Sequence, residues 1–140
     1  MKKVFLIVFS ILLLLQFIPA KIQNPKVDKN LELQAPKEVM AIFKRSCYDC
    51  HSNEVKQPWY ASIAPASFMI KHHVDLGREW LNFSTWGNYS EKQKDDKLKG
   101  IFRTVYAAMP LSSYISIHTE AKLSKEEIKL IRDWTGKAPY

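Results

Sequence analysis

Residues 47 to 51, Cys47-Tyr48-Asp49-Cys50-His51, contain the only two cysteines of the chain, with a histidine directly after the second. Four chemistries use such a string. Two thiols one helical turn apart can form thioethers with the vinyl groups of a haem, and the next imidazole can reach the iron. C-x-x-C-H is the attachment signature of c-type haem. The same thiols could act as a redox dithiol, as half of a zinc site, or as a short disulfide. A thioredoxin-like dithiol sits beside a βαβ pattern, and no segment here alternates as a half-buried strand does. Structural zinc takes four ligands, usually as two separated pairs, and this chain has one pair. A disulfide would staple only a tiny loop. Haem attachment fits best, with the dithiol as its main rival.

With His51 on one face of the iron, the other face takes a methionine, a histidine, or nothing. Met109 precedes Pro110 in Ala107-Ala108-Met109-Pro110, far enough beyond His51 to return from the opposite side. On pattern alone, Met109 serves equally as a ligand or as a core filler at the end of an apolar stripe. Met40 and Met69 lie within apolar helical faces and read as core. His73 shares a predicted face with Met69, Leu76 and Trp80, so it is expected to point inward. It is the alternative sixth ligand, weighed against a hydrogen-bonded core histidine. Trp59 and Tyr60 follow the motif closely and are read either as packing on a haem edge or as ordinary core aromatics. His72 and His118 read as solvated or loop residues.

The elements that must position these residues are helical. One helix starts at Pro36, a favoured first-turn residue, and carries Val39, Met40, Phe43 and Cys47 at helical spacing. A second starts near Pro65 and places Met69, His73, Leu76, Trp80 and Phe83 on one side, with Gly77 a weak point. In the third, Ser90 and Gln93 make a capping box, and Leu98, Ile101, Phe102, Val105, Tyr106 and Met109 form an apolar stripe. Pro110 ends it. Ser124 and Glu127 open the fourth, Ile128, Ile131 and Trp134 form its face, and Gly136 is its C-terminal cap. The expected fold class is therefore all-α, a small domain of about four helices with long loops.

Ahead of this domain, Met1-Lys2-Lys3 and the run from Val4 to Leu15, broken only by Ser10, form a basic start and an apolar stretch. Such a start marks an export signal. Counted to Ala20 the stretch reaches the lower limit of a spanning helix, so residues 1–20 are read as a signal peptide or an uncleaved membrane anchor. The flanking lysines would leave the N-terminus inside and the domain outside. Residues 21–35 are polar and aperiodic and read as a linker. Residues 36–140 form the expected c-type haem-binding domain. Export places the domain in the periplasm, either released or held at the inner membrane. Without Lys2 and Lys3, 19 basic side chains face 14 acidic ones, a net of +5. The basic residues are scattered, which gives no nucleic-acid stripe. The charge suits solubility, or steering toward an acidic redox partner in the envelope or toward a membrane surface.

Four stretches, CYDCHSNEVKQPWYASIAP, HVDLGREWLNFSTW, AAMPLSSYISIHTEAKLS and EEIKLIRDW, span most of residues 36 to 135. In them the chain resembles the haem-binding domain family of bacterial envelopes, which is related to cytochrome c. The resemblance implies one covalent haem c in a cytochrome c-like α fold, attached at Cys47 and Cys50 and ligated by His51. It matches Met109-Pro110 to a Met-Pro pair that supplies the sixth ligand, although Leu111 stands where a second proline is sometimes seen. His73 matches a histidine typical of the family. The resemblance fixes the cofactor rather than the task; the preferred reading of the task is one-electron transfer, which needs no catalytic side chain. Its rivals are a haem-based sensor or gas-binding module and a peroxidase-like enzyme, both with an open sixth position.

Overall fold

The computed structural model describes residues 1–138, which contain seven α-helices, three short 3-10 turns and no strand. The helices are α1 (Lys2–Leu15), α2 (Lys37–Ser46), α3 (Tyr48–His51), α4 (Ala66–Trp80), α5 (Glu91–Ala107), α6 (Ser112–Ile115) and α7 (Lys125–Thr135). The 3-10 turns are Trp59–Ser62, Phe83–Asn88 and Thr119–Ala121.

Helix α1 is apolar all round and buries none of its residues. Its 14 residues make about 21 Å of helix, short of a hydrocarbon core of about 30 Å. Among the described residues no helix is long and apolar enough to cross a membrane. The spanning helix that an anchor reading of residues 1–20 expects is therefore not found among the described residues. Gln16 closes the helix and turns its amide to the domain, its Nε2 donating to the Ala64 carbonyl (3.1 Å) and its Oε1 accepting the Ala64 N–H (3.0 Å).

Residues 21–35, expected to be a linker, pack into the fold as an extended strap. Leu33 is 1% exposed in the main core, and its N–H donates to the Phe83 carbonyl at 2.8 Å. Leu31 accepts the Gly87 N–H at 2.8 Å, and a Cβ on Gly87 would lie 2.9 Å from the Leu31 side chain, so glycine permits the approach. Ile22 joins Val55 and Val74 in a second, smaller core.

The main core is built by α2, α5 and α7 around Phe43 and Phe83. Those two rings stack at 4.9 Å, Tyr48 stacks on Phe83 at 5.4 Å, and Trp134 meets Phe43 edge-on at 5.3 Å. Contacts of this geometry add to simple area burial. Ile101 and Val105 of α5 and Ile131 of α7 complete it. Both predicted capping boxes form, Ser90 with Gln93 and Ser124 with Glu127. Gly136 ends α7 at φ 64°, the left-handed conformation that glycine adopts without a Cβ penalty.

Two expectations are revised. Helix α4 buries Ser67 and Val74, while Met69 is 60% and Trp80 75% exposed, so its buried side is rotated from the predicted one. Phe83 lies beyond the helix, which ends at Trp80. Helix α5 ends at Ala107 with Ala108 as its cap, which leaves Met109 just outside it.

Candidate functional site

The cysteine motif forms its own short helix. The ladder of α2 runs to Cys47, whose N–H donates to the Phe43 carbonyl at 2.8 Å, and the backbone then turns at Cys47 (φ −128°). The Cys47 carbonyl accepts the N–H of His51 at 3.0 Å and of Cys50 at 3.2 Å, starting α3 in a new direction. Tyr48 points into the core, where its hydroxyl donates to Glu32 at 2.9 Å. Both cysteines are free and partly buried.

Helix α4 crosses α3 at Gly77. A Cβ there would lie 2.5 Å from the Cys50 carbonyl oxygen, closer than real Cβ contacts come, so only glycine allows this approach. It brings the last turn of α4 to the imidazole of His51. His51 Nδ1 lies 2.9 Å from the Gly77 carbonyl and 3.0 Å from the Leu81 carbonyl. A carbonyl only accepts, so Nδ1 carries the proton and Nε2 keeps its lone pair. Burial pushes the imidazole pKa below its ordinary value, which favours this neutral form. A histidine oriented through Nδ1–H to a carbonyl, with Nε2 free, is the usual state of a metal-ligating imidazole.

Arg78 in the last turn of α4 and the residues after α3 and α4 lock this crossing. Arg78 donates to the Ser52 carbonyl (2.8 Å), the Gln23 carbonyl (2.7 Å) and Asn24 Oδ1 (3.0 Å), tying the strap to both helices. Asn82 donates to Asn53 Oδ1 at 2.9 Å, and Ser84 Oγ accepts the Asn53 N–H at 3.0 Å.

The thiols are held in their neutral form. Burial, reinforced by the neighbouring Cys50, pushes Cys47 up to about 12. Burial, with Asp49 beside it, pushes Cys50 up to about 11. A redox dithiol depends on a lowered thiol pKa, so this setting is the wrong one for thioredoxin-like exchange. Among the described residues no group of three or more His, Cys, Asp or Glu could hold a metal ion between them. Zinc thus lacks its ligand set.

Asp49, the central residue of the motif, connects it to the segment after Met109. Its Oδ1 accepts the Lys56 N–H at 3.1 Å, and its Oδ2 accepts the Tyr114 hydroxyl at 2.7 Å. The Tyr114 ring stacks on His118 at 4.4 Å, and His118 Nε2 meets the Tyr60 hydroxyl at 2.5 Å.

The remaining candidates are placed as follows. Met109 is half-buried, and its N–H donates to the Thr104 carbonyl at 2.7 Å. His73 is half-buried, with the His72 ring 6.3 Å away. Trp59 is 78% exposed, so it is no core aromatic, whereas Tyr60 is half-buried on His118. The structure thus brings Cys47, at the N-terminal cap of α3, together with Cys50 and His51 on that helix and links them through Asp49 to the Met109 segment. It leaves His73 and Trp59 outside these bonds. Sequence reasoning missed Asp49, Gly77, Arg78, Tyr114 and His118 as functional neighbours. The signal for Gly77 was a glycine inside an otherwise regular helix.

No curated protein and no solved structure matches the chain. A family model described as the haem-binding domain matches residues 10–137, from within α1 to just past the cap of α7. With that span, and with a neutral imidazole beside two free thiols, the chain belongs to the haem-binding domain family.

Proposed function

We propose that the chain binds one haem c covalently and acts as a one-electron carrier in the bacterial cell envelope. Cys47 and Cys50 would form the thioethers, and His51 Nε2 and Met109 would hold the iron. The observation that carries this reading is the state of His51, whose Nδ1–H is committed to the Gly77 and Leu81 carbonyls. The donor set fits the group: one oriented neutral imidazole, and two free thiols three positions apart, one at the cap and one within the same short helix.

A bound haem supplies the ferric/ferrous couple. The chain's own residues then hold and tune it. Gly77 lets α4 close on the motif, Arg78 fixes that closure, and the two carbonyls on Nδ1 raise the ligand basicity of the ring. No side chain has to move a proton for electron transfer. The basic start and apolar run of residues 1–15 support export, and the net positive charge suits an acidic redox partner.

Expression in an export-competent host with haem-attachment machinery tests the reading. The intact mass should rise by one haem, the haem should survive acid–acetone extraction, and the ferric spectrum should be low-spin with a methionine–sulfur band. Extractable haem would overturn covalent attachment. A high-spin, five-coordinate spectrum that takes up carbon monoxide readily would replace electron transfer with gas sensing or peroxidase chemistry.

A further inference from the structure

The segment after α5 is held in an unusual way. Between Val105 and Ala121 no residue is fully buried, so the segment is not anchored by a core side chain. Met109 lies within this stretch. Ile117 is 67% exposed, and α6 is a single turn whose bonds are local, Leu111 accepting the N–H groups of Tyr114 and Ile115. What ties the segment across the fold is a pair of aromatic rings, Tyr114 and His118.

We propose that Tyr114 and His118 form a latch that presses the Met109 segment onto the α3 helix and so positions the Met109 thioether to hold the haem iron. The inference rests on the proposed ligation by Met109. Tyr114 donates to Asp49 Oδ2 at 2.7 Å across 65 positions of sequence. Asp49 lies between the two cysteines and is itself fixed by the Lys56 N–H at 3.1 Å. The latch therefore grips the attachment helix itself. Tyr114 follows Met109 by five residues, a reach of at most about 17 Å even when extended, and less with α6 helical. His118 forms the second hold. Its Nδ1 lies 3.2 Å from Glu120 Oε1, a carboxylate that only accepts, so Nδ1 carries a proton. In the neutral ring Nε2 then accepts the Tyr60 hydroxyl. Stacking at 4.4 Å and 20° couples the two rings, so that losing one bond weakens the other. Both rings are positioning residues: neither is proposed to touch the iron.

The test uses the haem-loaded protein and three variants. Tyr114→Phe keeps the stack and removes the bond to Asp49. His118→Phe keeps a ring against Tyr114 and removes the bond to Tyr60. Met109→Ala removes the proposed ligand. Two readouts are taken: the ferric methionine–sulfur band, and amide hydrogen exchange across residues 111–118. Each latch variant should weaken the band and speed exchange, Tyr114→Phe by about tenfold or more, the scale of a hydrogen bond to a charged group, and His118→Phe by about fivefold, the scale of a neutral one. Met109→Ala should abolish the band. Wild-type band and exchange in the Tyr114→Phe, His118→Phe double variant would overturn the latch, as would faster exchange with an unchanged band. If Met109→Ala keeps the band, the ligation reading fails, and the positioning claim with it. Exchange then still decides whether the two rings hold the segment.

Discussion

His51 Nδ1 lies 2.9 Å from the carbonyl of Gly77, a contact made across 26 positions and possible only because Gly77 has no side chain. The Gly77→Ala variant tests this relationship with a distinctive sign. Alanine in a helix interior ordinarily stabilises by about 1 kcal/mol over glycine. Here the added Cβ would sit 2.5 Å from the Cys50 carbonyl oxygen, a backbone atom that cannot rotate away. Helix α4 must then lift off α3. The variant is expected to lose about 1–3 kcal/mol, as overpacked sites do, and to retain less haem per chain. Denaturant midpoints and the haem-to-protein ratio measure both. A gain in stability would show that the two helices do not approach so closely.

Leu33 provides a second test, because its neighbours in sequence resemble a free linker. Its side chain is 1% exposed and packs with Phe43, Phe83 and Ile131. Leu33→Ala should cost about 2–5 kcal/mol, the range for emptying a buried leucine site. In a true linker the same change would fall within about 0.5 kcal/mol of zero. Thermal unfolding of the haem-free chain separates the two outcomes.

Legibility in the sequence followed how local each signal was. The capping boxes at Ser90 and Ser124 use residues three apart, and α5 and α7 begin where those boxes predict. The spacing of Cys47, Cys50 and His51 is equally local, and α3 forms where it stands. Helix α4 was placed along the chain but rotated, because its buried side is marked by Ser67, Val74 and the bare Gly77 rather than by large apolar residues. The larger residues Met69 and Trp80 face outward and misled the periodicity. Tyr114 and His118 left no local trace, since their partners Asp49 and Tyr60 lie 65 and 58 positions away. The strap escaped notice for the same reason, its key contacts being to Phe83 and Gly87.

Arg45 and Glu127 join α2 to α7 through paired bonds of 2.8 and 2.9 Å. The Arg45 guanidinium holds the Glu127 carboxyl below its ordinary value. A carboxylate with a depressed native pKa contributes stability above its unfolded pKa, about 4.3, and loses it as the pH falls through the native value. Glu127→Gln isolates this contribution, because glutamine can still close the capping box with Ser124. Both partners are partly solvated, so the variant should lose about 1 kcal/mol or less at pH 7. The difference from wild type should shrink as the pH is lowered below about 4.3. Urea unfolding across that range measures it, and a gap independent of pH would remove the ion pair as its cause.

The thiols distinguish an attachment site from an exchange site without any haem present. Burial raises Cys47 to about 12 and Cys50 to about 11. At pH 8 about one thiol in a thousand or fewer would then be ionised, against roughly a quarter for a free cysteine of pKa near 8.5. Since the thiolate is the nucleophile, the folded, haem-free chain should be alkylated by iodoacetamide at least tenfold more slowly than glutathione. Urea should abolish that protection. A redox dithiol behaves in the opposite way, with one cysteine reacting faster than glutathione because its pKa is lowered. Rapid alkylation of either cysteine in the folded chain would therefore revive the dithiol reading. Slow alkylation combined with haem that resists extraction would leave thioether formation as the chemistry that uses both residues.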